Sequence, residues 1–159
     1  MAIDTHIKFD GIDGESTNKD HKGEIEVLSW SWGLTQPTKP ATGSGAGRSK
    51  SLPDEFRVVH RYDKASPLLA KNAASGKHIK TAVLMARKAG EGQKDFIKVT
   101  LKEVFVTSVQ TSASEDGSIA EEVALSYGSI DFSYAPANSK GALGTPVTFA
   151  WNTKTGQVS

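Results

Sequence analysis

The 159-residue sequence predicts a mainly β fold, an antiparallel barrel or sandwich of about seven or eight strands with one short lateral α-helix. Three features support this prediction: segments in which apolar and polar residues alternate, turn residues between those segments, and a single segment with helical start and stop signals. A chain of this length can bury a sizeable core as one domain. Because no internal repeat or linker divides the chain, we expect one barrel domain over residues 1–159.

The first part of the chain contains three predicted strands, over residues 4–10, 24–32 and 55–62. In the second strand the alternation shifts by one residue after Val27, which predicts a β-bulge or a strand covered on both faces. Residues 33–53 between the second and third strands are rich in Gly, Pro, Ser and Thr. A loop of roughly twenty residues is uncommon in a compact domain unless it is functional or disordered.

One short helix is predicted over about residues 66–75. Ser66 is a suitable N-cap, Pro67 is tolerated at the first helical position, and Gly76 suits the left-handed residue that ends many helices. A helix of about ten residues is marginally stable alone. We therefore expect it to pack against the strands.

Four further strands follow the helix, with a turn candidate at Gly90–Gly92 and another at Asp116–Gly117. The second of these strands changes its alternation near Glu103, and such a change lets a sheet bend round on itself. The predicted strands span residues 77–88, 95–112, 119–134 and 147–151.

Composition excludes several classes of function. The chain has 19 Lys and Arg against 18 Asp and Glu, so its charge gives no reason to propose nucleic acid or an anionic membrane as a partner. It contains no cysteine, which excludes disulfides, cysteine-ligated zinc and a thiol nucleophile. The N-terminal segment lacks the basic and apolar regions of a signal peptide, and no apolar run is long enough to span a membrane.

The residues that could carry chemistry do not form recognisable motifs. The histidines at 6, 21, 60 and 78 lack the spacing of a metal motif, and the acids of residues 10–15 do not follow the pattern of a calcium loop. The glycines of residues 43–47 lack the strand and helix that flank a nucleotide-binding loop. We therefore predict no catalytic, cofactor-binding or metal site, and no enzymatic activity.

Charge is distributed unevenly along the second half of the chain. Residues 71–102 carry eight bases and two acids, whereas residues 103–135 carry six acids and no base. These segments could neutralise each other across a hairpin, or they could place opposite charges on two sides of a subunit that associates head to tail. If the second interpretation holds, candidate interface residues are Lys98, Lys102, Glu121 and Glu122.

Several segments, taken together and in order, resemble the Hcp family, the haemolysin-coregulated tube proteins of type VI secretion systems. The most distinctive is Glu-Ile-Glu-Val-Leu-Ser-Trp-Ser-Trp-Gly at residues 24–33. The remaining matches are Met1–Asp4, Ile7–Lys8, Gly14–Ser16, Asp63–Pro67, Ser75–His78, Arg87–Gly90, Ile97–Val104 and Val147–Asn152. The resemblance therefore extends over nearly the whole chain.

The resemblance implies a β-barrel with a lateral helix that assembles as a hexameric ring. Such rings stack into a tube inside a contractile sheath, and the tube is expelled with small effector proteins in its lumen. The implied partners are further copies of the chain, the sheath and spike components, and the effectors. The implied location is the cytoplasm before firing, followed by secretion without a cleaved signal peptide.

Two further expectations follow from the resemblance. The long loop would make the contacts between stacked rings, with Thr38, Gly45, Arg48 and Lys50 as candidate residues. The sequence stops at Ser159 without a toxin domain, in contrast to extended members of the family, so a purely structural role is expected. The competing class is a small-ligand-binding β-barrel, which would need an open apolar cavity that Trp and Phe side chains would otherwise fill.

Overall fold

The computed structural model describes residues 2–37, 51–90 and 92–159. Within these ranges the chain forms ten β-strands and one α-helix, in the order β1 (Ile3–Phe9), β2 (Ile25–Ser31), β3 (Leu34–Thr35), β4 (Leu52–Pro53), β5 (Phe56–Arg61), α1 (Ser66–Ser75), β6 (Ile79–Lys88), β7 (Ile97–Ala113), β8 (Ile119–Ser126), β9 (Ser129–Tyr134) and β10 (Val147–Asn152).

Six of the strands close into an antiparallel barrel, which confirms the predicted fold class. Hydrogen bonds run in the order β7, β6, β1, β2, β5 and β8, and β8 then pairs with β7 to complete the circuit. A closed circuit leaves these strands without an unpaired edge along the barrel. Outside the circuit, β9 pairs with the first part of β7 and β10 pairs with β9.

Alternating side chains of the six strands fill the barrel interior. Phe9, Phe56, Leu84, Leu101 and Leu125 are each at most 1% exposed. Burial of one large apolar side chain contributes about 1.5–3 kcal/mol to folding, so this interior is the main stabilising element of the barrel. The helix α1 packs against β7 and adds its buried Leu69 to the same core.

The predicted β-bulge in the second strand is confirmed. The register between β2 and β5 shifts between Val27 and Ser29, because one extra residue of β2 lies opposite the same stretch of β5. Val27 faces the core, whereas Leu28 is 48% exposed on the outer surface. Leu28 is therefore an apolar side chain on the outside of the barrel, next to the bulge.

The predicted change of alternation near Glu103 is confirmed and lies within β7. Glu103 has a φ of 53°, in the left-handed region that L-residues rarely adopt. Val99 and Leu101 are buried before it, and Val104 and Val106 are buried after it. β7 therefore bends at Glu103, and its two parts pair with different strands.

The prediction of one long strand over residues 119–134 is wrong, because β8 and β9 are separate strands. The break occurs at Gly128, whose N–H donates to the carbonyls of Lys102 at 2.9 Å and of Glu103 at 3.2 Å. A Cβ atom at Gly128 would lie 2.5 Å from Oε2 of Glu103, so only glycine fits beside the bend without displacing the Glu103 side chain. The apolar alternation shifts by one residue between Tyr127 and Ile130, but this shift alone does not distinguish a bend within one strand from a break between two strands.

The predicted helix range is confirmed, as is Gly76 in the left-handed conformation with a φ of 68°. The assignment of Ser66 as N-cap is wrong, because Ala65 is the N-cap and Ser66 is the first helical residue. The hydroxyl of Ser66 instead accepts from the backbone N–H of Asp63 at 3.1 Å. Asp63 in turn accepts from the N–H of Ala65 at 2.9 Å, so a side-chain turn precedes the helix.

The long connection predicted over residues 33–53 is not a loop throughout. Its ends form a two-stranded ribbon in which Leu34 pairs with Pro53 and Thr35 pairs with Leu52. The candidate residues for contacts between stacked rings are Thr38, Gly45, Arg48 and Lys50. All four lie outside the described residues. The turn predicted at residues 90–92 includes Glu91, which also lies outside the described residues.

Candidate functional site

The four predicted interface residues lie on β7 and β8 but do not form one cluster. Lys98 and Lys102 are exposed on the first part of β7, where they pair in register with residues of β9. Glu122 pairs in register with Gln110, beyond the bend of β7. The lysines and the glutamates therefore do not face each other across the hairpin.

Glu121 lies inside the barrel and not on a subunit surface. It is 1% exposed and lies directly opposite His60 of β5, with Oε1 3.0 Å from Nε2 of the imidazole. The Thr111 hydroxyl donates to its other carboxylate oxygen at 3.4 Å. Because Glu121 is shielded from solvent within one subunit, it is unavailable to a neighbouring subunit.

Glu122 is exposed but already has a partner in its own chain. Arg57 of β5 contacts the Glu122 carboxylate at 3.0 Å and the Glu55 carboxylate at the same distance. All three side chains are at least 40% exposed. Exposed ion pairs of this kind contribute about 0–1 kcal/mol, so Glu122 retains the freedom to exchange partners.

A second buried polar cluster lies on the outer side of β1, and no motif in the sequence indicated it. The rings of His6 and His21 stack with centroids 4.8 Å apart. His21 is held by Glu24 at 3.0 Å and by Asp95 at 3.1 Å. Burial and the adjacent His21 lower the pKa of His6.

The segment that carries His21 is also tied to β6. The Arg87 guanidinium donates to the side chains of Asp20 and Asn18, each at 2.7 Å. The hydrogen bond from Arg87 lowers the pKa of the Asp20 carboxyl. In the ranges that the structure describes, no group of three or more His, Asp or Glu side chains could hold a metal ion. The hydrogen bonds of His21, Asp20 and Asn18 fasten the β1–β2 connection to the barrel.

The three tryptophans belong to the packed aromatic core. Trp30 stacks on Phe56 with ring centroids 5.6 Å apart, and Trp32 packs against Phe132 at 4.8 Å. Trp151 is 6% exposed. Because large side chains occupy the interior in the described part of the chain, the small-ligand-binding alternative gains no support from the barrel itself.

The wider concave surfaces described here open on the outside of the barrel. One, which we call the basic groove, has a volume of 770 Å³ and crosses the bend of β7. Its charged or titratable lining residues are His78, Lys80, Lys102, Glu103 and Lys154. A further groove of 490 Å³ lies between residues 92–96 and 135–143.

A smaller concave surface, which we call the acidic groove, lies beside the bulge of β2. It has a volume of 240 Å³. Its lining includes three acids, one base and two exposed apolar side chains, namely Glu15, Glu26, Asp63, Arg61, Leu28 and Tyr62. Its residues come from the β1–β2 connection, from β2 and from the end of β5, so local alternation could not have located it.

No helix within the described residues combines the length and the apolar character needed to cross a membrane.

Comparisons with known proteins agree over nearly the whole chain. A family model described as "Type VI secretion system effector, Hcp" matches residues 6–134. The protein hcp1 of Pseudomonas aeruginosa is 39% identical over 155 residues, which cover 96% of each chain. The family match begins within β1 and extends through β9, so it includes five strands of the barrel completely and most of the sixth.

Solved structures show the same architecture. The crystal structure of Hcp1 from Salmonella typhimurium is 37% identical, covers 100% of both chains and superposes with a TM-score of 0.83. A solved structure of a type six secretion system protein is 30% identical, covers 99% of this chain and 100% of that chain, and superposes with a TM-score of 0.91.

Proposed function

The chain belongs to the Hcp family of type VI secretion system proteins, and we propose that it is the structural subunit of the secretion tube, with residues 1–159 as a single barrel domain. In this role it forms hexameric rings, the rings stack on one another, and the tube is expelled with small effector proteins bound in its lumen. The observation that carries the proposal is the family match across nearly the whole barrel.

The proposed partners follow from the same role. Copies of the chain assemble within a ring and between rings, the sheath surrounds the tube, and the spike caps it. The subunit is cytoplasmic before firing and is then secreted without a cleaved signal peptide. Neither nucleic acid nor a membrane is a partner in this role, and the near balance of 19 bases and 18 acids fits that assignment.

Contacts within the ring involve the exposed charges of β7 and β8. Lys98 and Lys102 form no ion pair within the described residues, and Glu122 is exposed beside Arg57. Two unlike surfaces that meet repeatedly generate a ring when the rotation closes. Of the four predicted interface residues, three can therefore contact a neighbouring subunit, namely Lys98, Lys102 and Glu122. The fourth, Glu121, cannot do so because it is buried.

Contacts between rings involve residues 38–50, including Thr38, Gly45, Arg48 and Lys50. The pairing of β3 with β4 brings the two ends of this segment together at the barrel. The two basic residues supply charge that can meet acids on an adjacent ring.

Catalysis forms no part of the proposed role. The one fully buried acid–imidazole pair described above, Glu121 with His60, is closed to a substrate because both side chains are 1% exposed.

Light scattering at low micromolar concentration, combined with negative-stain microscopy, tests the ring. We expect a single species of sixfold mass and ring-shaped class averages. A stable monomer with compact class averages would contradict the proposal. A secretion assay tests the wider role: the protein should reach the medium of cells with an intact contractile sheath and should be retained in cells that lack it.

A further inference from the structure

We propose that the ring closes by docking the basic groove of one copy against the acidic groove of the next. This inference rests on the proposed ring and names the two surfaces that form its repeated contact. The occupant of each groove is thus a second copy of the same chain.

The basic groove carries positive charge that its own chain does not neutralise. It contains three lysines against one glutamate, and Glu103 is paired with Lys154. Lys80 and Lys102 are exposed and form no ion pair within the described residues. Phe105, 43% exposed, lies at the edge of the groove with its ring 5.9 Å from that of His78. The groove therefore offers both charge and apolar area to a partner.

The acidic groove has the opposite charge and an apolar rim. It contains three carboxylates against one arginine, and Glu26 is exposed without an ion pair among the described residues. Leu28 and Tyr62 are 48% and 45% exposed beside it. Exposed apolar side chains with polar residues around them mark protein–protein contact surfaces, and opposite charges at the rim orient the two partners.

The barrel circuit places the two grooves on opposite walls. Of the barrel strands, β6 and β7 line the basic groove, which also extends over β9 and β10. The acidic groove is lined by β2, by the end of β5 and by the β1–β2 connection. In the order β7, β6, β1, β2, β5, β8, the strands β7 and β2 are three steps apart, as are β6 and β5. Three steps is the greatest separation that six strands in a circuit allow. The grooves therefore cannot neutralise each other within one chain, whereas they can meet between chains.

This arrangement produces a head-to-tail contact. Each copy uses its basic groove toward one neighbour and its acidic groove toward the other, which is the heterologous contact that builds closed rings. Opposite charges orient the two surfaces and speed their encounter. Leu28 and Tyr62 then bury apolar area against Phe105 and the aliphatic stems of the lysines.

A pair of charge-reversed variants tests the contact. One carries Lys80→Glu and Lys102→Glu, and the other carries Glu26→Lys and Leu28→Lys, all at exposed positions. Each variant alone presents two grooves of the same sign, so its mass should fall from six copies to one. In an equal mixture, unlike grooves face each other when the two variants alternate, and a ring of six accommodates three of each. We expect native mass spectrometry of the mixture to recover the sixfold mass with a three-to-three composition.

A matched control carries Lys71→Glu and Glu115→Lys, which reverse two exposed charges outside both grooves. This control should keep the ring, and circular dichroism should show that all the variants remain folded. Rings that persist in both test variants would overturn the inference. So would dissociation of only one variant, or dissociation of both without recovery in the mixture, because the two grooves would then not face each other. The mass of the parent protein is measured first. If the parent is a monomer, that result contradicts the proposed tube role itself, and it is thus distinguished from a failure of the groove contact.

Discussion

At the scale of single residues, Glu121 shows why charge counted along a sequence misleads. It belongs to the acidic segment 103–135, yet it faces the barrel interior and lies 3.0 Å from His60. Glu103 and Glu122 of the same segment are paired with Lys154 and Arg57. The segment therefore supplies less free negative charge than its composition suggests, and the acidic groove is formed elsewhere.

We predict that Glu121→Ala destabilises the folded subunit by about 3 kcal/mol, because it leaves the buried His60 imidazole without its partner. Glu121→Gln should cost clearly less, since the amide can still form a hydrogen bond with the imidazole. Urea unfolding of both variants measures the difference. Equal stability of Glu121→Ala and the parent would show that the buried pair does not stabilise the barrel.

His6 makes the stability of the subunit depend on pH. Its pKa lies below the ordinary value of 6.5 because burial and His21 disfavour the imidazolium, and Glu24, Glu26 and Asp4 offset this only in part. In the unfolded chain the imidazole takes up its proton at a higher pH than in the folded chain. The folded state is consequently destabilised as the pH falls below 6.5.

We therefore predict that His6→Gln loses less stability than the parent when the pH is lowered from about 7.5 to about 5.5. Urea unfolding at both pH values gives the comparison. The control is His78→Gln, which replaces an exposed histidine and should keep the pH dependence of the parent. If the pH dependence of His6→Gln equals that of the parent, then groups other than His6 cause the loss of stability at low pH.

At the scale of elements, β7 organises the barrel because it has two sets of partners. It pairs with β6 from Ile97 to Val104, with β9 before Glu103 and with β8 after Glu103. The bend and the glycine at 128 occur together, so the chain can leave β8 and start β9 at that point. The basic groove crosses this same bend and thus depends on it.

The β3–β4 ribbon is the element that allows residues 38–50 to be tested separately. We predict that replacing them with a short Gly-Ser turn keeps the barrel folded and the ring closed, because none of the six barrel strands is changed. Stacking into tubes and secretion should both fail. Light scattering, microscopy and a secretion assay provide the three measurements. A shortened protein that still stacks and is still secreted would show that this segment is not the contact between rings.

At the scale of the whole molecule, the outer surface carries unlike charges on opposite walls. Contacts between such surfaces weaken when salt screens them, and the screening length is about 10 Å at 0.1 M ionic strength. Ring assembly should therefore respond to ionic strength, provided that the charged walls form the contact.

We predict that Lys98→Glu together with Lys102→Glu weakens ring assembly, and that the difference from the parent is greatest at low salt, where screening is least. Sedimentation of both proteins over a range of salt concentrations measures the fraction of rings. If the mass of the ring is the same for both proteins at every salt concentration, then Lys98 and Lys102 only keep the barrel surface solvated and do not contribute to ring assembly.

Local sequence patterns were enough to predict β1, β2, β5, β6, β7 and β10, the helix range, the bulge after Val27 and the change of alternation at Glu103. These features depend on residues that are neighbours in the chain, so alternation and turn chemistry are enough to identify them. The segments that resemble the Hcp family likewise led to the family that the comparisons show.

Contacts between residues of distant segments follow from the tertiary structure and could not be predicted from local patterns. The division of residues 119–134 into two strands depends on the bend of β7, and the burial of Glu121 depends on its register with β5. The stack of His6 on His21 and the two grooves likewise combine residues from several strands. A closed barrel brings these groups together through pairings that follow from the whole circuit, and local sequence patterns carry no record of them.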